Sequence, residues 1–240
     1  MRAPGRRTTN QASGFGLQAP GPDRALGPRV YRPPEGTSGS RTRRLPRAFY
    51  DRPTLLVAQE LLGKVLVHRT PEGVTSGRIV EVEAYIGEDD PACHAAPGPT
   101  RRNRPLYGPP GFSYVYLNYG MHHLTNVVTE AEGSPAAVLL RALEPLEGLG
   151  LMRARRTRAG AAVTDLDLCR GPGNLSRALG IDLTQNGRDL EGEELFLEDA
   201  GGVVGEIAWS TRIGIRVGAD RPWRCFVRAS AAVSGGRARG

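Results

Sequence analysis

The segment Arg78-Ile-Val-Glu-Val-Glu-Ala-Tyr85 places two carboxylates and a phenol at alternate positions. On an extended strand Ile79, Glu81, Glu83 and Tyr85 share one face. Either that face is solvated near a sheet edge, or one glutamate is a general base aimed into a pocket that Tyr85 helps to wall. A second cluster is Tyr114-Val-Tyr-Leu-Asn-Tyr-Gly120, which holds three of the seven tyrosines in the chain. Tyr114 and Tyr116 share a strand face, where core packing is a sufficient role. Tyr119 falls in the turn before Gly120 and is exposed by position, so its ring is suited to act as a wedge. Arg141 lies on the parity of Ala137, Leu139 and Leu143. A guanidinium on an apolar face needs an acidic partner, with Glu83 the candidate, unless the face is half-buried and the side chain reaches water. Asn126 shares a face with Leu124 and Val128 and calls for a buried hydrogen-bond partner or a ligand.

Other chemistries find little support. The four histidines include Cys93-His94 and His122-His123, but no CxxC pair or HExxH gives zinc-ligand spacing. Phosphate-binding glycine loops and a GxSxG nucleophile turn are also missing. Lysine occurs once, as Lys64. Imine chemistry needs a lysine or a terminal amine, so a Schiff-base mechanism is not expected.

These residues have to be positioned by a body that begins near Leu45. Asp51 and Pro53 start a helix whose buried stripe is Leu55, Leu56, Ala58, Leu61 and Leu62, with Gly63 as its stop. Strands are expected at Lys64–Arg69, Gly77–Tyr85, Ser113–Leu117, His122–Thr129, Ala137–Leu143, Glu194–Glu198, Arg212–Val217 and Trp223–Arg228. Helices are expected at Pro145–Arg156 and Asn174–Leu179, and a long Pro- and Gly-rich loop over Gly87–Arg104. The fold class is α/β (α+β), a single compact domain with a mostly antiparallel sheet over residues 45–230. Residues 1–44 carry nine arginines, two acids, seven glycines and six prolines. They account for the whole net charge of +7 and read as a disordered basic tail. Such a tail either binds nucleic acid nonspecifically or is inert. Its Pro and Gly density spoils an amphipathic transit helix. Residues 231–240 read as a fraying C-terminal tail. No apolar run suggests a membrane span, no export signal is seen, and three scattered cysteines suit a reducing compartment. The expected location is the bacterial cytoplasm, at the nucleoid.

Together these pieces resemble the alkyladenine (3-methyladenine) DNA glycosylase family. The matching features are Gly77–Tyr85, His94, Arg102-Asn-Arg104, Tyr114-Val-Tyr116, Tyr119-Gly-Met121, Asn126, Val138–Glu147, Leu168–Pro172, Asn174–Ile181 and Phe226-Val-Arg228. The likeness spans roughly Phe49 to Ser230. The resemblance implies a curved sheet with surrounding helices. It also implies a base-flipping repair enzyme that hydrolyses the N-glycosidic bond of damaged purines in double-stranded DNA, as a monomer without metal or cofactor. It makes Glu83 the general base, with Arg141 and the Val227 carbonyl positioning water. It makes Tyr85, His94 and Tyr116 the base pocket, Asn126 its guard against guanine, Tyr119 the wedge, and Met121 a DNA neighbour. Arg102 and Arg104, with Arg101, are expected to meet phosphates. Asn118 and His122-His123 depart from the family pattern at the hairpin, which leaves the range of accepted lesions open. A protein of the same fold that binds damaged nucleic acid without cleavage is the alternative reading, and it would not need Glu83. The basic tail alone suggests an RNA-associated module.

Overall fold

The computed structural model describes residues 43–157 and 162–235. All but the last two residues of the expected basic tail, and residues 236–240, lie outside the described residues.

Nine strands form one antiparallel sheet among the described residues: β1 (Arg43–Arg44), β2 (Val65–Thr70), β3 (Gly73–Ile86), β4 (Ser113–Asn118), β5 (His122–Val128), β6 (Ala136–Glu147), β7 (Leu195–Asp199), β8 (Ile207–Ser210) and β9 (Arg224–Val227). Their order is β1-β7-β2-β3-β6-β5-β4, with β9 pairing both β3 and β8. The helices are α1 (Arg47–Tyr50), α2 (Thr54–Leu61), α3 (Leu149–Arg156), α4 (Asp165–Leu168) and α5 (Pro172–Leu179). Val57, Leu61, Met152, Leu168, Leu175 and Leu179 pack from the helices onto Ile79, Val82, Leu140 and Leu143 of the central strands. Removing such side chains from water, at about 1.5–3 kcal/mol each, is the main force holding helices to sheet.

The central strand β3 carries the organisation. Its first half pairs with β2 through Arg78, and from Glu81 its neighbour is β9 instead, while β6 flanks it from Ser76 to Ile86. Bulges lie between Ile79 and Glu81 and between Glu81 and Val82. A bulge adds twist and re-aims side chains. Here it breaks the expected parity. Ile79 joins Val82 and Ala84 in the main core, and Val80 packs with Ala142 and Ala232 elsewhere. On β6 the same irregularity sends Leu143 into the core, away from Ala137, Leu139 and Arg141.

Several element boundaries differ from the sequence reading. β6 runs through Pro145 to Glu147, and α3 starts only after Gly148 at φ +77°. Arg212–Val217 is a bent segment, because Gly214 turns at φ +78° and breaks the alternation; the strand in this region is β8. In α2 it is Val57 that is buried, while Leu56 is 42% exposed. Arg43 and Arg44, assigned to the tail, pair with Asp199 and Glu198. Within residues 231–235, assigned to a fraying end, Ala232 is fully buried and Ser234 nearly so, while Ala231 and Gly235 are exposed. Among the described residues no helix is long and apolar enough to cross a membrane.

Candidate active site

Glu81 and Glu83 sit where β3 exchanges β2 for β9, and both are 0% exposed, so the solvated-face reading is ruled out. Two ionised carboxylates in the interior require cations. Arg141 and Arg224 supply them, and a third arginine pairs with a third buried carboxylate close by. Arg141 of β6 donates from Nε to Glu81 Oε1 at 2.9 Å, and its Nη1 lies 3.2 Å from Glu83 Oε1. Arg224 of β9 donates from Nε to the same Glu81 oxygen at 2.7 Å. Arg212, just after β8, forms a fully buried bidentate pair with Asp90 at 2.5 and 2.8 Å. Three carboxylates thus face three guanidiniums. Burial alone would lower the Arg141 pKa, but the charges of Glu83 and Glu81 hold it above its ordinary value. Arg141 is thus held by acids in a nearly buried position, 6% exposed, where it also faces the cavity.

Glu83 is the carboxylate tied to the pocket. Its Oε1 accepts from the Ile213 N–H at 2.7 Å and faces Arg141, while its Oε2, among the described residues, accepts only from the Tyr85 hydroxyl at 2.9 Å. A carboxylate has about four acceptor positions, so Oε2 retains capacity for another donor. Glu81, by contrast, spends Oε1 on two arginines and Oε2 on the Ser234 N–H. The two glutamates, equivalent in sequence, are an ion-pair anchor and a partly uncommitted acceptor.

Tyr85, Arg141 and Ile213 line a cavity of about 360 Å³. His94, Tyr116, Asn126 and Leu139 form further walls, and Asn118 and Tyr119 reach it from the hairpin. Tyr116 and His94 meet at 4.4 Å between ring centres, and His94 Nδ1 shares a 2.8 Å hydrogen bond with the Tyr114 hydroxyl. Burial, with the nearby Arg102 charge, lowers the His94 pKa below the usual imidazole value. Burial also pushes the Tyr114 phenol up to about 12 and raises Tyr85 and Tyr116, so the walls stay uncharged around neutral pH. Asn126 uses its Nδ2 to hold the Tyr114 carbonyl at 3.0 Å and is otherwise turned to the cavity. The guanidinium of Arg212 stacks 4.6 Å from the Tyr85 ring centre without lining the cavity, so it supports that ring from behind.

The rim is the β4–β5 hairpin. Tyr119 and Gly120 turn at φ +49° and +67°, and Met121 N–H closes the turn on the Asn118 carbonyl at 3.1 Å. Tyr119 is 82% and Met121 70% exposed. Arg102 reaches the Leu117 carbonyl at 3.2 Å and lies 5.6 Å from the Tyr116 ring centre. Arg104 lies apart, flanking with Arg101 a separate hollow lined by Pro105, Pro109 and Phe112. Arg101, Arg102 and Arg104 are exposed and, among the described residues, pair with no acid.

Val227 does not reach the site. It pairs with Ile207 at the far end of β9, and its carbonyl accepts from the Ser230 N–H at 3.1 Å. The main-chain group that reaches Glu83 belongs to Ile213. Ile213, Arg212, Arg224 and Asp90 were missed from sequence. The signal available was Arg212 itself, a charge alternating with Ile213, Ile215 and Val217. Among the described residues no three of His, Cys, Asp and Glu converge as metal ligands.

A family model described as Methylpurine-DNA glycosylase (MPG) matches residues 48–231. A protein of Rubrobacter xylanophilus is 55% identical over 169 residues, covering 70% of this chain and 85% of its own. One of Chlorobaculum parvum is 50% identical over 194 residues, covering 80% and 91%. One of Methanocella arvoryzae is 49% identical over 194 residues, covering 79% and 95%. All three carry the name "Putative 3-methyladenine DNA glycosylase".

Proposed function

The chain belongs to the methylpurine-DNA glycosylase family, a DNA glycosylase for alkylated bases, and on that premise we propose how it selects and releases a damaged purine. The purine leaves the stack and enters the 360 Å³ cavity, because its glycosidic bond is out of reach inside a duplex. Flipping costs a few kcal/mol. Tyr119 offsets part of this cost by filling the gap, supported by its exposure at the hairpin tip. In the cavity the base stacks on Tyr85, His94 and Tyr116. A base on an aromatic wall gains about 1–3 kcal/mol. A cationic alkylpurine gains roughly 0.5–2 kcal/mol more from ring quadrupoles. Asn126, with its free carbonyl oxygen, screens the edge of the base.

The observation that carries the reading is the setting of Glu83, wholly buried and bridged to three cavity-lining groups: Tyr85, Arg141 and the Ile213 N–H. Glu83 Oε2 takes a proton from water as the water oxygen bonds to the sugar C1′ and the purine departs with the glycosidic electron pair. Arg141 holds the carboxylate in place. An alkylated purine that already bears positive charge leaves without further protonation. The product is a free base and an abasic strand, and no imine is formed. The sole lysine supports this, since Lys64 Nζ is engaged by Asp199 Oδ2 at 2.6 Å on β7. The protein acts as a monomer on double-stranded nucleoid DNA in a reducing compartment, which suits its three buried free cysteines.

The test is single-turnover base release from a duplex containing one alkylated purine. The wild type is expected to release the base, and Glu83→Gln to bind the same duplex within a few-fold while losing at least about 10² in rate. Retention of more than about a tenth of the rate removes Glu83 as the base. Wild-type binding without release would favour a non-catalytic damage-recognition protein.

A further inference from the structure

We propose that Ser234, in the C-terminal segment, is a positioning residue that fixes the Arg141 guanidinium against Glu83. The inference deepens the reading above and rests on Arg141 serving the hydrolytic centre. Ser234 lies beyond residue 231, where the family match ends. It is 7% exposed, and it touches the interior charge network through three different atoms. Its Oγ accepts from Arg141 Nη2 at 3.2 Å, its N–H donates to Glu81 Oε2 at 2.6 Å, and its carbonyl accepts from Arg224 Nη2 at 2.9 Å.

The geometry gives these contacts a specific consequence. Each nitrogen of Arg141 has its own partner: Nε has Glu81, Nη1 has Glu83 and Nη2 has Ser234. Three partners in different directions fix both the place and the plane of the fork. Without the Ser234 hydroxyl, the guanidinium still has Glu81 as an anchor but can swing about it, and the contact that loosens is the one to Glu83. Rate is sensitive to such displacement, because a misplacement of about 1 Å costs on the order of 10²-fold.

The segment is held at its other points too. Ala232 packs fully buried against Val80 and Ala142, the neighbours of Glu81 and Arg141. The next residue, Gly235, turns at φ +73°, and a Cβ there would stand 2.5 Å from Ile213 Cδ1. The backbone after Ser234 thus lies directly on the residue whose N–H donates to Glu83. One five-residue stretch bears on both groups that share Glu83 Oε1.

The experiment is a double-mutant cycle in the full chain, read by single-turnover base release and by lesion-duplex affinity. Ser234→Ala is expected to slow release about tenfold with affinity within about twofold, and Ser234→Thr, which keeps the hydroxyl, to stay within a few-fold of wild type. In an Arg141→Gln background Ser234→Ala should cause no further loss, since a residue acting through Arg141 has nothing left to position. Losses that multiply across the two backgrounds would overturn the proposal, as would a wild-type rate in Ser234→Ala. Should Ser234→Ala fail to fold, Ser234→Cys keeps the volume and the main-chain bonds with a weaker acceptor, and a threefold or greater loss is expected. A second readout does not depend on activity. Arginine side-chain 15N spectra, with Arg141 assigned by Arg141→Gln, should show restricted Nη rotation in wild type that is released in Ser234→Ala. Unchanged Arg141 signals would refute the clamp even if the site proved non-hydrolytic, whereas released signals with no base release in wild type would refute only the proposed function.

Discussion

Tyr119→Asn is expected to make the protein more stable and worse at its work. Tyr119 holds φ +49° in a turn whose next residue, Gly120, also has positive φ, the signature of a type I′ hairpin turn. Tyrosine pays for this conformation through its Cβ, by about 1 kcal/mol, whereas asparagine adopts it readily and is favoured before glycine in such turns. Little packing is lost, because the ring is 82% exposed. The net gain of about 1 kcal/mol corresponds to a rise of about 2–4 °C in Tm for a domain of this size. On DNA the sign reverses. Losing one base–aromatic stack of about 1–3 kcal/mol weakens lesion-duplex binding by about 5- to 150-fold. Unstructured single strand has no paired neighbour to hold apart, so its affinity should change much less. The assays are thermal unfolding without DNA and titration with both nucleic acids. A Tm that falls would refute the strain argument. Equal affinity losses on duplex and single strand would refute the wedge.

Four further outcomes follow from the site. Asp90→Asn should destabilise the fold by about 3–5 kcal/mol, since it strands the buried Arg212 charge, and should loosen Tyr85; denaturant unfolding measures it, and a loss below 1 kcal/mol would contradict the pairing. Burial raises the Asp90 carboxyl, but the Arg212 hydrogen bonds and charge bring it below its ordinary value. Its stabilisation is therefore complete above pH about 4 and fades as pH falls through the lower folded value, so the acid slope of stability should be shallower in Asp90→Asn. His94, held below the ordinary imidazole value, is neutral at pH 7 and gains charge only as pH falls beneath about 6.5. Cationic lesions should then lose release rate in acid more steeply than neutral lesions, and His94→Gln should remove the difference; parallel profiles in wild type would argue against His94 as a pocket wall. Borohydride trapping on lesion duplex should give no covalent adduct, and an adduct abolished by Lys64→Ala would contradict the hydrolytic route.

The Glu81/Glu83 pair, Tyr85, Arg141, Asn126 and the Tyr119 turn stand out in the sequence because each is a polar or aromatic residue where simple periodicity makes it anomalous, whereas His94, in a loop, and the choice of Glu83 over Glu81 come only from the family resemblance. The antiparallel architecture was legible for the same reason. What escaped was long-range or irregular. Period-two alternation carries no mark of a bulge, so Ile79 and Leu143 were assigned to the wrong face. Division of labour between Glu81 and Glu83 depends on which strand replaces β2 beside them, and Arg224 is more than 140 residues away. Ile213 reaches Glu83 through a main-chain N–H, which no side-chain pattern reveals, and Val227 was taken in its stead. The C-terminal stretch looked too small and polar to order itself. Ser234 is ordered by charges it meets only after folding.

The pairing of three buried carboxylates with three buried guanidiniums has a consequence for ionic strength. Mobile ions screen exposed charges over roughly 10 Å at 0.1 M but do not enter a packed interior. Salt should therefore leave the bond-breaking step of bound substrate almost untouched. Encounter with DNA would depend instead on surface cations such as the exposed, acid-free Arg102 beside Tyr116 and Arg101 and Arg104 at the separate hollow. Were all three to displace counterions from phosphates, log affinity would fall with log salt at a slope of roughly −3. Rising salt would thus shorten the time spent on the strand without slowing the chemistry once a lesion is seated. On the proposed reading, search and excision would draw on two separate sets of arginines, one at the surface and one in the interior.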